Sequence, residues 1–255
     1  MLRIEREGSA VVWTLDRPHA KNALSGELLG RLREAILGAS SDASVRAAVL
    51  TGAGGAFASG GDLRELRDKT SPADAGALSD AGEEVCRLLG DLPFPVVAAI
   101  PGVAIGGGAE LALACDLRVA EDRARICFKH ARMGATTSWG SLPRLCALVG
   151  PGAAARILFT AQELTALDAR MCGLVDHVAE NGASVVTALA WCADVAAAAP
   201  RAVAETKALL RAAGAAFYDQ TRALERAAFV RTWSSAEHAE AMAAYFERRP
   251  PHWTR

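Results

Sequence analysis

One carboxylate stands apart in the stretch GVAIGGGAELALACD (residues 102–116), where Glu110 lies in an apolar run entered through three successive glycines. A glycine run that opens a helix leaves backbone N–H groups without an intrahelical partner, and the absent side chains let another group come close. Such a turn can hold developing negative charge, and it also serves as a tight strand-to-helix connection. Burial raises the pKa of an acid placed there, whereas a first-turn position favours its ionised form. A second glycine-rich loop, TGAGGAFASGGDL (51–63), also follows an apolar run and leads into a predicted helix. Two loops of this kind can aim two N–H donors at one oxygen. The 106–108 run is not a P-loop, because no Lys-Ser or Lys-Thr follows, and it does not fit GxGxxG. Asp62 is placed to cap the helix beginning LRELRDK, and Asp116 to fix the end of the apolar helix. His19, His177, His238 and His252 lack metal-ligand spacing, so no metal is expected.

These residues need elements to position them. RAAVLTG (46–52) and PVVAAIPG (95–102), short apolar runs closed by glycine, predict buried strands, and LRIEREGSAVVWTLDRP (2–18) predicts two strands turning at Glu7-Gly8. SGELLGRLREAILGAS (25–40) and DAGALSDAGEEVCRLLGDL (74–92) have helical spacing, with Ser25 and Glu27 at a helix start. Strands alternating with helices argue for an α/β fold. Beyond about residue 183 the chain becomes Ala-rich and helical in period, through TALAWCADVAAAAP (187–200), RAVAETKALLRAAG (201–214) and YDQTRALERAAFVRTW (218–233), with punctuation at Pro200 and near Gly214. The expected division is a core carrying the chemistry over 1–190 and a helical region over 191–255.

Composition bounds the function. A chain of 255 residues and 26.6 kDa buries roughly three quarters of its unfolded surface. Lys plus Arg total 28 against 29 for Asp plus Glu, a balance that gives no bulk field for nucleic acid or an anionic membrane, and no basic aromatic stripe is present. The six cysteines form no CxxC pair and suit a reducing compartment. The start, MLRIEREGSAVVW, is charged and alternating rather than signal-like, so a cytoplasmic location is expected. Pro101, Gly102, three more glycines and Glu110 interrupt the apolar stretch 95–120, so no membrane span is predicted there.

The two glycine loops, taken with an acid on an apolar helix, resemble the crotonase (enoyl-CoA hydratase/isomerase) superfamily over nearly the whole chain. LDRPHAKNALS (15–25) is similar to the family's early CoA-binding turn, GAFASGGDL (55–63) to its first oxyanion loop, and IPGVAIGGGAELALACDLRVA (100–120) to its second loop and following helix. LFTAQELTALDARMCGLVDHV (158–178) and PRAVAETKALL (200–210) match later segments, and ERAAFVRTWSSAEHAEAMAAYFERR (225–249) resembles the C-terminal oligomerisation helices. The resemblance implies a spiral of strand–strand–helix units that binds acyl-CoA, or a carrier-protein acyl thioester, and stabilises its enolate. It implies oxyanion donors at the amides of Ser59 and Gly107, CoA contacts at Arg17 and Lys21, and no cofactor beyond the CoA of the substrate. It also implies a trimer or a dimer of trimers, for which Leu224, Ala228, Phe229, Met242 and Phe246 offer apolar faces.

Glu110 aligns with one of the two glutamates used by hydratases, but the second is missing. His130 stands in its place within RICFKHARMGATTSWGSLPRL (125–145). A neutral imidazole can shuttle a proton near neutrality but does not replace a carboxylate that helps hold water. GGGAELALACDLR, followed by this His and by the pattern MGxxxSWGxxxRL, is similar to the ethylmalonyl/methylmalonyl-CoA decarboxylase branch, with Trp139 walling the pocket. The leading expectation is therefore decarboxylation of a short branched malonyl-type thioester. The alternatives are an enoyl-CoA hydratase or isomerase using Glu110 with His130, and a non-catalytic acyl-thioester-binding protein.

Overall fold

Alternate residues of the central strands face opposite ways. In the computed structural model, which describes residues 1–254 with side chains except at 214–216 and 254, Val11, Trp13 and Leu15 of β2 (Ala10–Leu15) join one apolar cluster while Ala10 and Val12 join another. The same period of two runs through β3 (Ala47–Gly52) and β4 (Val96–Ile100): Leu50, Ala98 and Ile100 face one layer, Val49, Val97 and Ala99 the other. Burial on both faces explains why these segments are continuously apolar.

β1 (Leu2–Glu7) pairs antiparallel with β2 through a turn at Gly8, whose φ of +61° suits glycine. The large sheet then runs parallel in the order β1-β2-β3-β4-β6-β9, with β6 spanning Leu117–Glu121 and β9 His177–Ala179. A smaller layer contains β5 (Val103–Ile105), β7 (Arg125–Cys127) and β8 (Leu164–Thr165), and a bridge from Ala58 to Ala104 extends it. The chain therefore spirals, visiting the large sheet, then the small one, then a helix. β4, β5 and α4 (Gly107–Ala114) make one such turn, and β6, β7 and α5 (Ser141–Thr160, broken at Gly150) the next. The apolar stretch 95–120 is thus folded into β4, β5, α4 and β6. Among the described residues α5 is the one helix that by itself is long and apolar enough to cross a bilayer.

The remaining helices flank these layers. α1 (Gly26–Ser40), capped by the Ser25 hydroxyl, and α3 (Pro72–Asp91), opened by a Ser71–Asp74 capping box, cover one face of the sheet. α7 (Ser184–Ala197) covers the other through Ala188 and Cys192. The short α2 (Leu63–Leu66) and α6 (Ala166–Met171) sit in connections, α2 capped by Asp62 as expected. The boundary expected at 190 falls inside α7, a layer of the core, and the backbone breaks later, before α8 (Pro200–Trp233).

α8 is one 34-residue helix where the sequence reads as two pieces. An interior glycine costs about 1 kcal/mol of helix propensity, and packing on α3 and α5 outweighs it. α9 (Ala236–Glu247) folds back on a 3-10 turn at Lys129–Met133. Phe229 and Met242, expected on an oligomerisation face, are instead buried in the protomer, whereas Leu224 is 70% exposed. Phe229 belongs to a cluster with Leu66, Ala75, Ala135 and Trp233, because α8 packs along α3.

Candidate active site

The 102–108 glycine loop brings the backbone close to its neighbours at two points. Gly106, at φ +54°, caps α4, and a Cβ on Gly108 would lie 2.2 Å from Ala58 O, so only glycine fits. Gly107 is the first residue of α4; its N–H has no intrahelical acceptor and no other hydrogen bond among the described residues. A Cβ on Gly60 would lie 2.9 Å from Ile105 O and 3.6 Å from Gly107 N, which places the 58–62 loop directly against that amide.

The donor on the facing loop is not the one expected. Ser59 N–H donates to Lys21 O at 3.0 Å and Ser59 Oγ–H to Ala20 O at 3.1 Å, so the Ser59 amide is committed inside the scaffold. Gly61 offers a free amide instead. Leu24 N–H donates to Gly60 O and Asp62 N–H to Leu24 O, a parallel bridge that turns the amide between them the other way, and Gly61 lines the cavity with its N–H unpaired among the described residues. The peptide alternation of an extended segment decides the matter: neighbouring amides point to opposite sides.

Glu110 is fully clamped. Its Oε1 accepts from Ser138 N–H (3.0 Å), Trp139 N–H (3.2 Å) and Ser141 Oγ–H (2.8 Å), and its Oε2 lies 3.0 Å from His130 Nε2. Burial by itself raises the carboxyl, but the charge and hydrogen bond of His130 and the two amides together outweigh it, holding Glu110 below the usual glutamate range. An ionised Glu110 accepts, so His130 donates from Nε2 and its tautomer is set. Its Nδ1 is left buried with no partner among the described residues. His130 sits on the 3-10 turn after β7 and lines the same cavity as Glu110, Gly61 and Gly107, a space of about 750 Å³.

Trp139 lines this cavity, and its ring occupies a slot that two glycines leave open. A Cβ on Gly82 of α3 would lie 1.9 Å from the ring, and one on Gly107 2.6 Å from it. Arg17 also lines the cavity, but its guanidinium is engaged, donating to Ala23 O (2.6 Å) and Asp62 Oδ2 (2.8 Å). Lys21 is exposed and does not line the cavity; it supplies the carbonyl that holds Ser59. His19, Arg64, Lys129 and Arg248 add basic groups to the wall. Sequence reasoning missed these, and it missed Ser138 and Ser141, whose only signal is a small polar pair beside Trp139. It also gave His238 no role: this ring lines the cavity, stacks on Trp233 with centroids 4.0 Å apart, and bonds Met133 O through Nδ1 at 2.6 Å. Among the described residues no group of three or more His, Cys, Asp or Glu forms a metal-ligand set.

The arrangement sets two unpaired amides, of Gly61 and Gly107, in one cavity with a carboxylate–imidazole pair. That combination suits stabilisation of an enolate with proton transfer at an adjacent carbon. A family model described as enoyl-CoA hydratase/isomerase matches residues 5–255. The chain is 35% identical over 247 residues to the short-chain-enoyl-CoA hydratase of Clostridium acetobutylicum, covering 96% of this chain and 94% of that protein. It is 31% identical to the 2,3-dehydroadipyl-CoA hydratase of Escherichia coli, with 98% and 97% covered. A crystal structure of an enoyl-CoA hydratase/isomerase from Pseudoalteromonas atlantica superposes with a TM-score of 0.88 at 29% identity, covering 98% of both chains.

Proposed function

The chain belongs to the enoyl-CoA hydratase/isomerase family, and from that premise we propose that it hydrates, or shifts the double bond of, a 2-enoyl-CoA thioester. The observation that carries the reading is the Glu110–His130 pair opening beside the unpaired amides of Gly61 and Gly107. The thioester oxygen accepts from both amides, which bind it more strongly as it becomes an enolate; losing one such donor costs about 10² to 10³ in rate. In hydration, the Glu110–His130 pair takes a proton from water as the water oxygen bonds to C3, and returns it to C2. Ionised Glu110, 3.0 Å from Nε2, stabilises the intermediate imidazolium. In isomerisation the same pair removes and returns a carbon-bound proton. The hydratase names of the relatives support this reading. CoA enters as part of the substrate, and no resident cofactor is required.

One observation favours decarboxylation as a second reading. Glu110 Oε1 already accepts three hydrogen bonds, and Asp62, the other carboxylate on the cavity wall, is paired with Arg17. No second free acid holds water. In a malonyl-type thioester the bond from C2 to the carboxylate would break, CO₂ would leave, the amides would hold the enolate, and protonated His130 would deliver a proton to C2. Incubation with crotonyl-CoA, methylmalonyl-CoA and ethylmalonyl-CoA, read by mass spectrometry, separates the two. Gain of water on crotonyl-CoA is expected. Loss of CO₂ from the malonyl esters without hydration establishes the second reading, and binding without turnover of any of them returns the chain to the role of an acyl-thioester-binding protein.

A further inference from the structure

A second buried carboxylate lies behind the first. Glu225, on α8, is 4% exposed. Its Oε1 accepts from the Thr137 hydroxyl and from Leu142 N–H at 2.9 Å, while Oε2 is buried without a partner. The segment it grips, Thr137–Leu142, is the one that holds Glu110. Within six residues, Thr137 and Leu142 donate to Glu225, and Ser138, Trp139 and Ser141 donate to Glu110. The loop is therefore suspended between two carboxylates, one on α4 and one on α8, with its outer donors on Glu225 and its inner donors on Glu110.

We propose that Glu225 is a positioning residue: by anchoring both ends of the 137–142 loop it fixes the donors that clamp Glu110, and through Glu110 the pose of His130 and of the Trp139 wall. The proposal rests on the proton-transfer role given to His130 above. Burial and the charge of Glu110, partly opposed by Thr137, Leu142 and Arg144, push the Glu225 carboxyl up to about 7. The protonated form is thus well populated near neutrality, and glutamine, with a carbonyl oxygen to accept the same two bonds, is its close mimic. Leucine fills the space but leaves the Thr137 hydroxyl and the Leu142 amide unpaired.

The test compares wild type, Glu225→Gln, Glu225→Leu and Thr137→Val in the full-length protein. Kinetics use whichever CoA ester the wild type turns over. A second, activity-independent probe is 5-fluorotryptophan labelling, with the ¹⁹F resonance of Trp139 assigned through Trp139→Phe. Glu225→Gln should retain at least about a third of wild-type kcat and an unchanged Trp139 resonance. Glu225→Leu should lower kcat about 30-fold or more with KM within about threefold, and should shift or broaden Trp139 while the other tryptophans stay in place. Thr137→Val should fall between them. A Glu225→Leu protein that melts earlier yet keeps wild-type kcat and an unmoved Trp139 overturns the proposal, because its role would then be stability alone. If Glu225→Leu does not fold, Thr137→Val decides: wild-type kcat and an unmoved Trp139 overturn the proposal. If no CoA ester is turned over, the functional reading has failed, and the ¹⁹F resonances still decide the positioning role.

Discussion

Glu110 keeps a charge inside the protein because four donors meet its two oxygens. Its folded pKa is depressed, so the stabilisation from this clamp is complete above the ordinary glutamate pKa of 4.5 and is lost as pH falls below it. Glu110→Gln should leave Oε1 accepting from the Ser138–Ser141 segment, but its NH₂ would donate to His130 Nε2 and remove the negative charge that stabilises the imidazolium. Steady-state kinetics should show kcat down about 100-fold or more with the fold retained by circular dichroism. Ser59→Ala tests the side chain alone. It keeps the amide that donates to Lys21 O and removes one hydroxyl bond to Ala20 O, so kcat should stay within about threefold of wild type; a hundredfold loss would give the Ser59 hydroxyl a part in the site.

At the scale of elements, α3, α4 and the loop before α5 meet at the Trp139 ring, and they do so only because Gly82 and Gly107 have no Cβ. Gly82→Ala sets two effects against each other. Alanine gains about 1 kcal/mol of helix propensity in α3, but its Cβ would lie 1.9 Å from a ring that is itself 4% exposed, and overpacking costs about 1 to 3 kcal/mol. Steric cost wins, since neither the ring nor the backbone can yield. A lower melting temperature together with lower kcat is expected, the latter because Trp139 N–H also holds Glu110. α9 carries a different sensitivity. Burial depresses the His238 pKa below 6.5, against the opposing pull of Met133 O, so the stability this ring contributes is present above 6.5 and lost as pH falls. Hydrogen exchange across 236–247, corrected for its intrinsic pH dependence, should therefore speed up between about pH 7.5 and 5.5, and His238→Phe should flatten that response.

For the whole molecule, the C-terminal helices wall the cavity within one chain, through Phe229, Trp233, His238, Tyr245 and Phe246. Residues assigned by sequence to an oligomer interface are partly consumed by that wall. Leu209, Leu210 and Leu224 on α8 nonetheless remain 70 to 73% exposed, and exposed leucines of this density on one helix are costly in an isolated protomer. We propose that this surface is covered by further copies of the chain in a trimer or a dimer of trimers. Native mass spectrometry at micromolar concentration should find multiples of three, and replacing Leu209, Leu210 and Leu224 together by Gln should shift the population toward protomers; a stable wild-type monomer would exclude this arrangement.

Much of this was legible along the chain. The strands β2, β3 and β4, the capping residues Ser25 and Asp62 and the glycine entry to α4 follow from local rules, because a residue's neighbours within one strand or turn set its face and its caps; the pairing of Glu110 with His130 came from the family resemblance. Three features were not local. Ser59 and Gly61 are two residues apart on a glycine loop, and only the bridge to Leu24 shows which amide faces the cavity. Phe229 and Met242 read as an outward face until α8 packs on α3 and α9 on the 3-10 turn. Glu225 lies 115 positions from Glu110 by their residue numbers, and its hydrogen-bonded link to the site is a loop that both carboxylates hold. The sequence by itself determined which elements form and which acid is buried among glycines, since those are matters of periodicity and backbone permission. The tertiary structure alone decided which amide remains free and which distant carboxylate supports the site, since hydrogen bonds between elements depend on how those elements pack.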